Sequence, residues 1–335
     1  MIICRTPFRI SFFGGGTDYP QWVSAHGGAV LSTTIDKYCT ITCRRRPAIF
    51  PHRNRIVYRL TEEVQHCDEV QHPLVREVMR HLGVNGIELH YDGDLPGQSG
   101  VGSSSAFTVG LLHTLYALKG QRVSKRRLAE EAVMIEQEKV GDLVGSQDQF
   151  SAAFGGFNHI VFPCAGPVEV HPVIVSARRA QQLNDHLLLL YSGRTRFSSE
   201  VVGTVIDDLE GKAHRLSRLG ALVDEGLEVL LGDGDLGAFG ELLHESWLQK
   251  RELSDAVSTP EIDRAYEAAR EVGAIGGKLV GAGGGGFLLL FAKPERHSAI
   301  RKRVGWLDVP IAFERAGSQI IFFSPQSEVN GAGQE

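Results

Sequence analysis

The sequence predicts an α+β fold, on three observations. Strand-like alternation and helical periodicity mix through the first half without the regular strand–helix repeat of a parallel sheet. Long helical stretches gather in the second half before strands return near the end, and no internal repeat is present. At roughly 100–200 residues per domain, the 335 residues allow two lobes. We expect residues 1–180 to form an amino-terminal lobe, 181–323 a carboxy-terminal lobe and 324–335 a polar tail, although no Pro/Ser-rich linker marks the boundary.

The first element is a strand over Ile3 to Phe13. Alternation places Cys4, Thr6, Phe8, Ile10 and Phe12 on one face and Arg5, Pro7, Arg9 and Ser11 on the other, so Arg5 and Arg9 are expected to share a face opposite the aromatic core. Further strands are expected at Ala29–Ile35, Tyr38–Arg44, Ile56–Leu60 and Ile87–Tyr91, and helices at Leu74–Leu82, Ser103–Leu118 and Lys125–Val140. The second half reads as strands near Asn158–Phe162 and Leu187–Tyr191, then helices around Ser199–Leu231, Leu236–Gln249 and Thr259–Val272. Strands return at Gly286–Phe291, Ile311–Glu314 and Ile320–Phe323.

Composition narrows the class of function. With 42% hydrophobic and 22% charged residues the chain can bury a core. Lys and Arg total 35 against 40 Asp and Glu, a net charge of −5, which gives no ground for broad nucleic-acid or membrane-surface binding. Small-molecule chemistry is the default. No apolar run reaches the roughly 18 residues of a membrane span, and Met1-Ile2-Ile3-Cys4-Arg5 does not begin a signal peptide, so the expected address is the cytoplasm. Five scattered cysteines are expected to be reduced, buried thiols. Cys39 and Cys43, on one face of a strand, lack the further ligands a zinc site needs.

Glycine is clustered, at Gly14–Gly16, Gly97–Gly102 and Gly273–Gly286. Clusters of this kind let backbone approach a ligand, against the plainer reading of tight turns. In Leu95-Pro96-Gly97-Gln98-Ser99-Gly100-Val101-Gly102-Ser103-Ser104-Ser105-Ala106 the run follows a strand and opens a helix. Free amide donors, the positive helix end and serine hydroxyls together suit a phosphate, although serines at a helix start also cap. A Walker loop is excluded, because Gly277-Lys278 lacks the upstream glycine and the following hydroxyl. Gly281-Ala282-Gly283-Gly284-Gly285-Gly286 fits the dinucleotide pattern but precedes a strand, Phe287–Phe291, instead of a helix.

Two acidic positions follow. Helical spacing of Ala129, Ala132, Val133, Glu136 and Val140 turns Glu136 inward, where it needs either a structural arginine or Mg²⁺. In Gly145-Ser146-Gln147-Asp148-Gln149, Ser146 and Gln149 have capping-box spacing, which puts Asp148 in a helix's first turn. Its local reading is an ordinary helix-start carboxylate.

Together these pieces resemble the GHMP small-molecule kinase superfamily. Its first motif corresponds to Arg5–Tyr19, its second to Pro96–Ala106 and its third to Lys278–Phe287, while Glu136-Gln137 and Gly145–Gln149 resemble the metal-ligand and catalytic-aspartate stretch; the likeness spans residues 3 to about 323. Galactokinase-type members carry an acidic residue and a histidine where this chain has Gly15 and Gly16. Phe13–Pro20, His26–Ser32 and Ile35–Tyr38 look instead like the D-glycero-D-manno-heptose 7-phosphate kinases of nucleotide-heptose biosynthesis.

The resemblance implies a ribosomal-protein-S5-like first lobe, a ferredoxin-like α/β second lobe, and transfer of the γ-phosphoryl group of ATP to an anomeric hydroxyl. It implies that Gly100, Val101, Gly102, Ser103, Ser104 and Ser105 hold the nucleotide, that Ser104 and Glu136 bind Mg²⁺, and that Asp148 and Arg9 are catalytic. Gly15, Gly16, Thr17, Asp18, Gly283, Gly284 and Gly285 are expected at the substrate, with Arg194 and Arg196 on its phosphate; the cluster Arg44, Arg45, Arg46, Arg53 and Arg55 is the competing phosphate site. The partners implied are ATP and a sugar phosphate, not nucleic acid or membrane, and a homodimer is compatible with the resemblance. Two other readings stand beside it, a sugar-1-kinase for fucose or another unphosphorylated sugar and a non-catalytic sugar–ATP sensor.

Overall fold

A long antiparallel pair founds the first sheet of the computed structural model, which describes residues 1–195 and 198–324. β1 (Ile2–Phe13) runs along β2 (Gly28–Arg45), with α1 (Pro20–His26) in the connection. The two strands expected at 29–35 and 38–44 are therefore one. Pro7 pairs with Tyr38 and Arg9 with Thr34, so β2 absorbs extra residues as a bulge around Asp36 without leaving the sheet. A second irregularity lies in β1, where Ser11 pairs with Ser32 but Phe13 with Leu31. The extra residue breaks strict alternation, and Phe12 and Phe13 are both buried, their rings 5.3 and 5.0 Å from that of Phe239. Arg5 and Arg9 do not serve one site. The Arg5 guanidinium lies 4.3 Å from the Tyr38 ring centroid, whereas Arg9 is buried.

β3 (Asn54–Val57), β4 (Thr61–Val64), α2 (Pro73–Leu82), β5 (Ile87–Gly93), α3 (Ser103–Leu118), α4 (Lys125–Met134), α5 (Gln147–Phe154), β6 (Asn158–Phe162) and β7 (Glu169–Pro172) complete this part. The helix expected to run through Val140 changes at Ile135 into a π-helical turn, Ile135–Val140. α6 (Ala177–His186), β8 (Leu187–Tyr191), α7 (Ser198–Ile206), α8 (Ala213–Leu231), α9 (Gly237–Arg251), α10 (Pro260–Glu271), β9 (Ala274–Leu279), β10 (Phe287–Ala292), α11 (His297–Val304) and β11 (Leu307–Asp308) follow. The single helix expected over 199–231 is broken by a turn in which the Asp208 carboxylate accepts from the Gly211 amide at 3.1 Å. β12 (Phe313–Glu314) and β13 (Gln319–Phe323) then return to the first sheet.

The strand order is β13-β1-β2-β5-β3-β4, with β6 and β12 also on β2, and the second sheet runs β11-β8-β10-β9. β13 pairs with β1 and β12 with β2, so the last two strands lie in the first sheet. One apolar cluster, from Phe8 to Phe291, runs through both halves; the other faces of β8 and β10 pack Leu188 and Leu288 with Trp247 and Tyr266 in a second. Cys4, Cys39 and Cys43 are buried free thiols as expected, but Cys164 is exposed. No helix among the described residues is long and apolar enough to cross a membrane.

Candidate active site

The two glycine runs are packed on each other. Gly100 (φ +86°) and Gly281 (φ +75°) lie backbone to backbone, so that a Cβ on Gly281 would stand 2.4 Å from the Gly100 Cα and one on Gly100 would stand 2.2 Å from the Val280 carbonyl oxygen. Glycine is required here by the mutual approach of the loops as well as by any ligand. Gly102, in the left-handed region, is the N-cap of α3 and supplies no side-chain acceptor to the helix's first turn. Those amides await an outside acceptor. Gly100, Gly102, Ser103, Ser104 and Ser105 line a cavity of about 450 Å³, while Val101 is buried and its carbonyl accepts from the Arg9 amide at 3.0 Å.

Arg9, from β1, meets Asp148, from the first turn of α5, in that cavity. Its guanidinium donates Nε to Oδ1 and Nη2 to Oδ2, both at 2.8 Å, and Nη1 bonds the Gly100 carbonyl. The expected capping box is absent, since Ser146 makes no side-chain cap and Gln149 turns inward. Gln149 Nε2 and Ser105 Oγ donate to Glu136 Oε2 at 2.6 and 2.9 Å. Glu136 thus has no arginine partner, and its other oxygen, Oε1, is buried without a hydrogen bond. Burial, only partly offset by the hydrogen bonds from Ser105 and Gln149, pushes this carboxyl up to about 7. The serine touching Glu136 is Ser105, whereas Ser104 is exposed at the cavity wall.

Gly15, Gly16 and Asp18 also line the cavity. Asp18 is buried and accepts from the Gly16 amide (3.1 Å), the Gln147 amide (3.2 Å) and Gln147 Nε2 (3.2 Å), an approach that leaves no room for a Cβ on Gly145. Burial, then the nearby Asp148 charge, raises its pKa. Thr17 is not in the wall. Its hydroxyl lies 2.9 and 3.0 Å from the Gly14 and Ala29 carbonyls, its one proton serving either, and so pins the turn. Gly283 and Gly285 line the cavity, while the Gly284 amide donates to the Val257 carbonyl.

The expected phosphate clamps fare differently. Arg194 is exposed, paired with Glu261 at 2.8 Å and outside the cavity wall; Arg196 lies outside the described residues. The competing basic cluster is a structural network. Arg44 and Arg55 hold Glu88 at 2.6 and 3.0 Å, and Arg46 holds Glu63 at 3.2 Å. Sequence reasoning missed Ser11, Gln147, Lys250 and Lys278, all in the wall. For Lys250 a signal existed. It continues the apolar stripe Phe239, Leu243, Trp247 of α9, where a lysine has no ordinary reason to be.

Comparison with known proteins bears on this geometry. The family model for the N-terminal domain of GHMP kinases matches residues 70–156, and that for the GHMP kinase C-terminal region matches 227–305. The chain is 29% identical over 319 residues to the D-glycero-alpha-D-manno-heptose 7-phosphate kinase of Campylobacter jejuni, covering 90% of this chain and 94% of the relative. It is 27% identical over 332 residues to the galactokinase of Pyrococcus furiosus, covering 89% and 91%. Among solved structures, a D-glycero-D-manno-heptose 1-phosphate kinase from Bacteriodes thetaiotaomicron superposes with a TM-score of 0.78 at 21% identity, covering 95% of this chain and 98% of that one. Lactococcus lactis galactokinase complexed with galactose gives 0.73 at 20%, covering 96% and 95%.

Proposed function

The chain belongs to the GHMP kinases, and on that premise we propose that it transfers the γ-phosphoryl group of ATP to the anomeric hydroxyl of D-glycero-D-manno-heptose 7-phosphate, giving the 1,7-bisphosphate for nucleotide-heptose biosynthesis. It is a phosphotransferase with an alcohol acceptor. One observation carries the mechanism: the Arg9–Asp148 pair stands in the same cavity as the uncapped amino terminus of α3. Phosphoryl transfer needs alignment and charge neutralisation more than covalent help. The amides and hydroxyls of Ser103–Ser105 hold the phosphates of ATP, while Asp148 receives and orients the acceptor hydroxyl. With both oxygens already bonded to the Arg9 guanidinium, orientation is its larger part.

Mg²⁺ fits the donor set. Glu136 Oε1 is a buried carboxylate oxygen without a partner beside the serine wall, and no cluster of three or more His, Cys, Asp or Glu among the described residues offers a fuller protein cage. Such a sparse set suits an ion that keeps water and phosphate oxygens as ligands and, when bound, neutralises the β- and γ-phosphates. Gly15 and Gly16 support the heptose reading, because no side chain projects into the cavity from these two positions. Incubation with Mg²⁺-ATP and heptose 7-phosphate, unphosphorylated heptose, fucose and galactose, read by ADP release, tests it. Heptose 7-phosphate is expected to be used best, and equal turnover of an unphosphorylated sugar would overturn the assignment.

A further inference from the structure

Three cations are buried among the described residues, Arg9, Lys250 and Lys278, and all three line one cavity. Only Arg9 has a carboxylate. Lys250, on α9, donates to the Leu279 and Gly281 carbonyls; Lys278, on β9, donates to the Phe12 carbonyl at 2.9 Å. An ammonium group has three N–H donors, so one on Lys250 and two on Lys278 remain for the cavity. Among the described residues neither lysine forms an ion pair with the carboxylates that line the cavity, Asp18, Asp142 and Asp148. Asp148 is occupied by Arg9, and Asp18 by the amides of Gly16 and Gln147. The Ser11 hydroxyl, in the same wall, is buried and has no partner either. Burying an ammonium group without a counter-charge is costly. Consistent with this, burial and mutual repulsion, together with Arg9, lower the pKa of Lys250 well below the ordinary lysine value, and burial beside Arg9 lowers that of Lys278 to about 7.

We propose that Lys250, Lys278 and the Ser11 hydroxyl form a phosphoryl-binding subsite, completed only when a ligand brings the anion that the protein lacks. This rests on the phosphotransferase reading of the cavity. The phosphoryl group comes either from the γ-position of ATP or from the phosphate of the acceptor, and both present the same tetrahedral oxygens to the two ammonium groups.

The test is Lys250→Met, with Lys250→Arg as the rescue, read as thermal-shift titrations with the non-hydrolysable ATP analogue AMPPNP alone and with heptose 7-phosphate alone. A charge-assisted hydrogen bond accounts for about a 10- to 150-fold change in affinity. A loss of that size for one ligand, partly restored by arginine, supports the subsite and identifies the source of the phosphoryl group. Unchanged affinities for both ligands, with a lower melting temperature in the ligand-free variant, would mean that Lys250 merely braces the carbonyls of Leu279 and Gly281, and would overturn it. Should the variant not fold, acetylation of Lys250 and Lys278 in the parent protein, followed by peptide mass spectrometry, decides the matter. Saturating inorganic phosphate should slow modification at both lysines, and no protection at either refutes the subsite. Parent turnover is scored separately: failure of every sugar while AMPPNP binding still depends on Lys250 would sink the acceptor assignment and leave the subsite standing.

Discussion

A single guanidinium holds both oxygens of Asp148, through Arg9 Nε and Nη2, each at 2.8 Å. The Arg9 side chain is 5% exposed and that of Asp148 23%, so the carboxylate is the member of the pair that an acceptor can reach. The third nitrogen, Nη1, ties the pair to the Gly100 carbonyl of the glycine run before α3. The group proposed to orient the hydroxyl is thereby fixed relative to the loop proposed to hold the donor, which is the geometry that phosphoryl transfer needs.

Asp148→Asn is expected to keep AMPPNP binding and lose turnover by about 10²–10⁴. The amide leaves a buried guanidinium half paired, which costs roughly 1–3 kcal/mol of stability. ADP release and thermal melts check the two effects; turnover within threefold of the parent contradicts the role given to Asp148.

Glu136→Gln should raise the Mg²⁺ concentration needed for half-maximal activity, since an amide oxygen is a poorer ligand for a hard dication. It also has a pH signature without metal. Burial raises the folded carboxyl from its ordinary 4.5 to about 7, so the folded state binds the proton more tightly than the unfolded state does. Parent stability should therefore fall as pH rises from about 4.5 to 7. The difference in melting temperature between variant and parent should grow in the variant's favour over that range. A constant difference would show that Glu136 does not carry this linkage.

Gly281→Ala should be disruptive and Gly97→Ala nearly silent. The first forces a Cβ to 2.4 Å from the Gly100 Cα at a positive φ; the second meets nothing within 4 Å. Strain of this kind costs about 1–3 kcal/mol, and separation of the loops should weaken AMPPNP binding. Equal melting temperatures and affinities for the two variants would refute the packing account.

Arg194→Ala is expected to leave kcat/KM for heptose 7-phosphate within threefold of the parent. The Arg194–Glu261 pair is exposed and worth about 0–1 kcal/mol, and the side chain lies outside the cavity wall. A tenfold rise in KM for the sugar phosphate alone would return this residue to the phosphate site.

Chain order alone carried the α+β class, the helix after the glycine run, the inward face of Glu136 and the helix-start position of Asp148, because each depends on periodicity or on turn chemistry within a few residues. Local spacing could not say what those groups would touch. Glu136 found Ser105 and Gln149 in place of arginine, Gln149 left its capping position to reach it, and β13 crossed back to pair with β1. The two glycine runs, far apart in sequence, need their glycines partly for each other. Packing alone brings Lys250 and Lys278 into one cavity with Arg9. Periodicity orients a side chain relative to its own helix or strand. Its neighbours, and therefore its charge state and any ligand it awaits, are set by contacts between segments tens to hundreds of residues apart, and only the tertiary structure decides those.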